Sequence, residues 1–319
     1  MPWRYALVRL VASVLTLAGV AVLVFVVLRL LPGDEITSTF GTETGVLTDR
    51  QIESLRSYYG VDQPAYQQFF SWLGSVVTGN LGFSVRSGTS VASQIRDALP
   101  VTVELALASI LVGLVIGVPL GVLSGARAGT RSDAGIQVFG LLGLGIPNFV
   151  IGTFAVTLFA SWFDYFPNAR GYAAPWEDPW LNVQQMMFPA ITLGLALSGT
   201  IMRTTRSAFL ETSTQPFVRT ARGKGISARR VRYVHILRNA SIPIATITGI
   251  QFGYLLGGTV IVEQIFAMPG LGRLVLDGIG KREYAVVQST ILVISGLFVM
   301  VNLLVDLLYA RLDPRIRYK

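Results

Sequence analysis

The sequence has few of the side chains on which catalysis and metal binding depend. It contains no cysteine, one histidine, and charged residues at only 14% of its 319 positions. A soluble globular chain carries about 25% charged residues. The lack of cysteine excludes disulfides, thiolate metal sites and cysteine nucleophiles. Together with a mean hydropathy of +0.57, the shortage of charge argues against a cytosolic enzyme and against a disordered chain.

Long apolar segments are what the sequence has in abundance. Six stretches are apolar and long enough to cross a bilayer, which takes about 20 residues. They are residues 10–31, 99–123, 136–160, 187–202, 240–262 and 286–310. The fourth is the shortest. The apolar core of the first is too long for a signal peptide, so we expect a retained anchor. The sequence therefore predicts an all-α polytopic membrane protein with six transmembrane helices.

The distribution of charge predicts the orientation of these helices. With the amino terminus inside, 17 of the 26 Lys and Arg residues fall on the cytoplasmic side, together with three acidic residues. The outer segments hold nine basic and twelve acidic residues. Because basic loops stay in the cytoplasm, we expect both termini there. The net charge of +8 is therefore a signal of topology. No motif supports binding of nucleic acid.

Small residues recur at every fourth position in two of the predicted spans. The two stripes are Ser109, Gly113, Gly117, Gly121 and Gly125 in the second span, and Gly249, Gly253 and Gly257 in the fifth. This spacing places the residues on one helix face, where another backbone can approach closely. The stripes are compatible with static helix packing and with smooth contacts on which helices slide or rock during transport.

Proline and acidic residues interrupt the predicted spans at a few points. Pro147 predicts a kink in the third span. Glu104, Glu263 and Asp306 lie near the ends of spans, where water can reach them. A carboxylate at the bilayer centre would be unfavourable by about 2.5–3.5 kcal/mol. We therefore expect interfacial anchoring by these acids, and the pattern counts against a proton-driven pump.

The longest outer segment, residues 33–98, follows the first span. It includes the aromatic stretch 67–77, which is suited to a membrane interface. This segment is compatible with two roles, a structural cap over the helices and a docking surface for an extracytoplasmic partner. We expect two domains: residues 1–98, with the first span and this segment, and residues 99–319, a core of five helices.

The basic segment 203–239 carries the most information about function. Pro216 can occupy the first turn of a short helix that Gly223 and Gly225 end. Ser227 is the expected N-cap of a second short helix. Its apolar face would consist of Val231, Val234 and Leu237. Such a protrusion could be gripped by a soluble partner, or it could lie on anionic lipid headgroups.

Four runs of residues carry a family resemblance. They are Phe217–Gly225, His235–Ala240, Glu263–Gly272 and Asn302–Tyr309. With them the chain resembles permeases of the dipeptide/oligopeptide family of ABC importers. Arg219-Thr220-Ala221 and Gly225 occupy the places where the broad importer signature has Glu-Ala-Ala and a later Gly. Asn80 stands where the family usually has Asp.

The resemblance implies a type I ABC importer permease in the bacterial inner membrane. It implies four kinds of partner: a second homologous permease, two ATPase subunits, an extracytoplasmic peptide-binding protein, and membrane lipid. ATP and Mg²⁺ would bind to the ATPases, because Gly223-Lys224-Gly225 lacks the remainder of a P-loop. The chain itself would have no catalytic residue, no cofactor and no metal site. The ATPase-coupling residues would be Phe217, Arg219, Thr220, Ala221, Arg222, Gly223, Gly225, His235, Arg238 and Asn239.

The implied cargo is short peptides. Nickel chelates and other small solutes are carried by near relatives and are the closest alternative. An ion-coupled secondary transporter would work without ATPases, and a scaffold protein would carry no solute. The sequence does not identify the residues that bind the substrate.

Overall fold

The computed structural model describes residues 3–30, 53–54, 62–84, 86–164 and 166–312, most of which are helical. The strands among these residues are β1 (Phe83–Ser84) and β2 (Thr89–Ser90), which pair antiparallel. The expected all-α class is confirmed. The chain forms two compact units, Met1–Thr102 with Pro269–Val299, and Val103–Met268 with Met300–Lys319. The first unit thus includes a late segment of the chain.

The helices of the described residues vary from three to 36 residues in length. In chain order they are α1 (Trp3–Leu30), α2 (Ala65–Val77), α3 (Val91–Ala126), α4 (Arg131–Gly145), α5 (Asn148–Phe163), α6 (Pro179–Ser213), α7 (Pro216–Gly223), α8 (Ala228–Arg230), α9 (Leu237–Gly258), α10 (Val260–Ile265), α11 (Leu271–Lys281) and α12 (Tyr284–Leu312). A π-helical turn, Val231–Ile236, joins α8 to α9.

Within the part of the chain that the structure describes, five helical segments are long and apolar enough to cross a membrane, and α4 with α5 forms a sixth candidate. The expected six spans are therefore found when this pair counts as one. The axes of α4 and α5 differ by 89°. Pro147 lies immediately before α5. It has no backbone N–H and its fixed φ opposes a continuous helix. The kink predicted at this residue is a complete break.

Helix α6 corrects the prediction for the fourth span. The apolar stretch 187–202 predicts a short span, but the helix extends over 35 residues. Its buried residues include Asn182, Gln185, Ser198 and Thr205. Polar side chains lower the hydropathy of a segment even when they face the protein interior. Hydropathy alone therefore underestimated the length of this helix.

The first unit is held together by apolar contacts of α1, α11 and α12. Val24 and Leu28 of α1 lie in one buried cluster with Val275, Tyr284 and Val287. A second cluster joins the start of α3 to α11 and α12. Its buried members are Val91, Ile95, Ala98, Leu271 and Val286.

The aromatic stretch 67–77 forms most of α2 and packs on α1. The rings of Phe69 and Phe25 meet edge to face with their centroids 5.1 Å apart. The Arg29 guanidinium lies 3.4 Å from the centre of the Phe25 ring and donates a hydrogen bond to Gln68 at 2.7 Å. Phe70 remains exposed. Much of this stretch thus has a structural role in the first unit.

The glycine stripe of α3 lies against α6 in the second unit. A Cβ atom at Gly117 would lie 2.8 Å from the Ser198 carbonyl oxygen, and one at Gly121 only 2.6 Å from that of Met202. A Cβ at Gly113 would meet Leu197 at 3.1 Å. Distances below 3.0 Å are not tolerated between a Cβ and a backbone atom, so glycine permits this approach.

The stripe of α9 is less regular. A Cβ at Gly249 would lie 2.3 Å from Val305 of α12. Gly253 is buried, whereas Gly257 is exposed. Helix α9 ends at Gly258. The four-residue spacing of glycines therefore continues into the last turn of α9, but the glycine in that turn is no longer buried.

We predict that Gly121→Ala destabilises the protein by about 1–3 kcal/mol, the usual effect of overpacking. The measurement is thermal unfolding of the purified protein in detergent. Gly135→Ala in α4 is the matched control, since a Cβ there meets no atom within 4 Å. Alanine should leave the control as stable or slightly more stable. Equal unfolding temperatures for the two variants would contradict the close α3–α6 contact.

Candidate functional site

The segment between α6 and α9 begins as the sequence predicts. Pro216 occupies the first turn of α7, where its missing N–H costs no helical hydrogen bond. The helix ends at Gly223. Gly225 follows with φ +74°, a conformation that favours glycine. Ser227 stands at the N-cap position of α8, but its side chain makes no capping hydrogen bond.

The second predicted short helix is not separate. Helix α8 continues through the π-helical turn directly into α9, and the whole segment Ala228–Gly258 is one candidate span. The wider winding of a π-helix changes which residues share a face. Val234, expected to be buried, is 47% exposed, and Ile236 is buried in its place at 2%. The predicted apolar face was therefore wrong at Val234.

One side of α7 is fixed to the rest of the second unit by a buried apolar cluster. Val218 and Ala221 point from α7 into this cluster, which also contains Phe209 of α6 and Val122 of α3. Val231 and Ile236 of the π-helical turn complete it. Val218 is fully buried. Ala221, expected to help seat α7 in a partner, instead helps seat α7 on its own chain.

The other side of α7 and the following turn face outward. Of the predicted coupling residues, the exposed ones are Phe217, Arg219, Thr220, Arg222, Gly223, Gly225, Arg238 and Asn239. His235 is half-buried, and its backbone carbonyl accepts a hydrogen bond from Asn239 Nδ2 at 2.7 Å. The structure thus brings most of these residues together on one exposed segment.

This segment is strongly basic. Among the described residues, no carboxylate forms an ion pair with any of its basic side chains. These are Arg219, Arg222, Lys224, Arg229, Arg230, Arg232 and Arg238. A surface of this kind can bind an acidic partner, because no carboxylate of the described residues already pairs with its charges.

Sequence patterns did not single out Asp133 and Arg206. The two form an ion pair of 2.8 Å between α4 and α6. The sequence offered one hint: few acidic residues fall on the predicted cytoplasmic side, and Asp133 is one of those three. Neither residue lies in a recognisable motif, so the contact itself could not be read from the sequence.

Glu104 is bound by a loop of the second unit. Tyr172, between α5 and α6, donates a hydrogen bond to Glu104 and accepts one from Asn182 at 3.2 Å. Burial, with the hydrogen bond to Glu104, raises the pKa of Tyr172 well above its ordinary value. The phenol therefore stays protonated and remains a donor. The arrangement fixes the loop to α3 and α6.

Glu263 does not anchor the chain at a wet interface as expected. It is fully buried in α10 and accepts a hydrogen bond from Thr259 at 2.8 Å. The helix breaks between α9 and α10, so Glu263 lies on a short helix that turns it inward. Nearby, Asn168 donates to the Phe266 carbonyl and braces the chain beside Ala267, whose φ is +53°.

Two protein-family models match the sequence of this chain. Residues 117–318 match the model described as the binding-protein-dependent transport system inner membrane component. Residues 2–106 match the N-terminal region described for such membrane components. Together the two models cover most of the chain.

Full-length relatives have similar sequences. The "Probable peptide ABC transporter permease protein y4tP" of Sinorhizobium fredii is 36% identical over 316 residues, covering 98% of this chain and 99% of the relative. The glutathione transport system permease protein GsiC of Escherichia coli is also 36% identical, covering 99% of each chain. A crystal structure of an amino acid ABC transporter with histidines superposes with a TM-score of 0.48 at 16% identity, covering 70% of this chain and 94% of the other.

We predict that Val218→Asp releases α7 from the buried cluster. An unpaired charge cannot remain in an apolar site without several kcal/mol of cost. Trypsin should then cleave at the basic residues of 216–239 about tenfold faster or more, since 1.4 kcal/mol in the opening free energy is a factor of ten. Thr220→Asp on the exposed side of α7 is the control. The assignment of the buried face fails if both variants are cleaved at the wild-type rate.

Proposed function

The chain belongs to the family of binding-protein-dependent transport system inner membrane components, and we propose that it imports short peptides. As a member of this family it is a multi-pass permease subunit of an ABC importer that works with ATPase and binding-protein partners. In our proposal it supplies half of the translocation pathway, and a second homologous permease supplies the other half. Two ATPase subunits would bind ATP and Mg²⁺, and an extracytoplasmic protein would deliver the peptide.

The exposed side of α7 is the proposed contact with the ATPase. The observation that carries this proposal is the division of α7 into two sides, one buried in its own chain and one basic and unpaired. Val218 and Ala221 hold the helix in place, while Arg219 and Arg222 remain available for acidic groups of a partner. Gly223 and Gly225 add little bulk beyond the helix end, so a partner surface can approach the backbone.

The proposed orientation follows from the same charges. Placing α7 in the cytoplasm puts the nine basic residues of 203–239 on the side where ATP is hydrolysed. It also satisfies the positive-inside rule and places both termini in the cytoplasm. One orientation therefore accounts for the docking surface and for the distribution of charge.

The proposed substrate class rests on the relatives. One is named for peptides and another for glutathione, which is itself a short peptide. Both align with nearly the whole of this chain. We therefore place peptides ahead of nickel chelates and other solutes.

We predict ATP-dependent uptake of short peptides by the complete complex in proteoliposomes. The assay compares labelled peptides, glutathione and a nickel chelate, each with and without the ATPase subunits. Uptake of peptide only when ATPase and ATP are present is the expected result. Uptake of the nickel chelate alone would contradict the substrate class. Uptake driven by an ion gradient without ATPase would contradict the importer mechanism.

We predict that Arg222→Glu weakens binding of the ATPase about tenfold or more, which corresponds to a loss of 1.4 kcal/mol. Arg222 is exposed, so reversal of its charge should leave the fold intact. Co-purification of the subunits and peptide uptake are the two measurements. Arg203→Glu is the matched control, because Arg203 is exposed on α6 outside the docking helix. If Arg222→Glu assembles and transports like the control, α7 is not the docking site.

A further inference from the structure

A buried ion pair joins three helices close to the docking helix. Both oxygens of the Asp133 carboxylate bind Arg206, at 2.9 Å to Nε and 2.8 Å to Nη2. Asp133 also accepts hydrogen bonds from Ser124 Oγ, from the Gly129 backbone at 3.0 Å and from Gln137 at 3.1 Å. Only 4% of the Asp133 side chain is exposed. The carboxylate is therefore fully satisfied, and its position is specified by donors from α3, α4, α6 and the intervening turn.

The pair lies next to the cluster that holds α7. Arg206 precedes Phe209 by three residues on α6, so the two side chains lie on neighbouring positions of one helix face. Ser124 follows Val122 by two residues on α3. Phe209 and Val122 are members of the cluster into which α7 inserts Val218. The same helix ends thus carry the docking helix and the ion pair.

Glycines on both helices make the rest of the contact between α4 and α6 a close one. A Cβ at Gly199 would lie 2.5 Å from the Gly140 carbonyl oxygen, and one at Gly143 would lie 3.0 Å from that of Leu195. Two longer side chains lie over these glycines, Met202 of α6 over Gly140 and Leu144 of α4 over Gly199. The middle of the contact is thus packing between glycine backbone and apolar side chains.

The Asp133–Arg206 pair adds a directional constraint to this packed contact. A planar guanidinium that binds both oxygens of one carboxylate fixes distance and angle together. Breaking the pair would leave a buried, uncompensated charge. The end of α4 nearest the docking helix can therefore neither slide nor rotate on α6 at low cost.

We propose that Asp133 and Arg206 are positioning residues for energy coupling, which lock α4 to α6 so that displacement of α7 moves α3, α4 and α6 together. This inference rests on the proposed function, since it requires an ATPase that displaces α7. Motion of the docking helix then reaches the broken span α4–α5 through α4 and is not lost as slippage between α4 and α6.

The test is the number of peptides taken up per ATP hydrolysed by the complete complex in proteoliposomes. In Arg206→Lys the charge remains but the bidentate fork is lost. The ratio should fall about fivefold or more, the lower range of measured coupling effects. ATP hydrolysis and ATPase binding should stay at wild-type levels, which a merely structural role would not predict. Arg203→Lys, on the same helix but exposed, should leave the ratio unchanged.

A second variant tests the same proposal in case Arg206→Lys does not fold. Asp133→Asn combined with Arg206→Gln removes both buried charges and keeps the volumes similar, and it should uncouple in the same way. An unchanged ratio in these variants overturns the positioning role, as does a loss of ATPase binding in Arg206→Lys. Wild-type peptide uptake that does not depend on ATP would instead overturn the proposed function, and the positioning role with it.

Discussion

The close approach of α3 to α6 is the contact on which the second unit depends. Helices in lipid gain little from the hydrophobic effect, so their association relies on dispersion contacts that close packing provides. Gly117 and Gly121 allow α3 to touch carbonyl oxygens of α6. Across another face of α6, Gly199 and Gly140 allow α4 an equally close contact. Helix α6 is thus the axis against which its neighbours are placed.

Polar side chains fix α6 at both of its ends. Towards its start, Gln185 accepts from the Ala173 N–H at 2.9 Å and donates to the Gly171 carbonyl at 2.7 Å, which ties the preceding loop to the helix. Towards its end, Arg206 binds Asp133. Small residues lie between these two points. Close packing supplies the contact area in the middle of α6, and directional hydrogen bonds add constraints at its ends.

Helix α7 and the π-helical turn are connected to this axis by short links. Helix α7 begins two residues after the C-cap of α6, and the π-helical turn leads from α8 into α9 without a break. The buried side of α7 rests on side chains of α3 and α6. A partner that displaces α7 therefore acts on several membrane helices at once, and no flexible linker among these described residues absorbs the motion. Energy coupling needs this mechanical continuity.

Local sequence patterns determined the class of the protein, the number of its spans, the glycine face of α3, a bend at Pro147 and the start of α7 at Pro216. Each follows from residues close together in the chain. The full length of α6, the burial of Glu263 and the position of Ile236 in place of Val234 were decided by tertiary structure. So was the pairing of Asp133 with Arg206, which are 73 residues apart. Hydropathy and periodicity add up properties of neighbours along the chain, whereas the burial of a polar group depends on a distant partner that satisfies it.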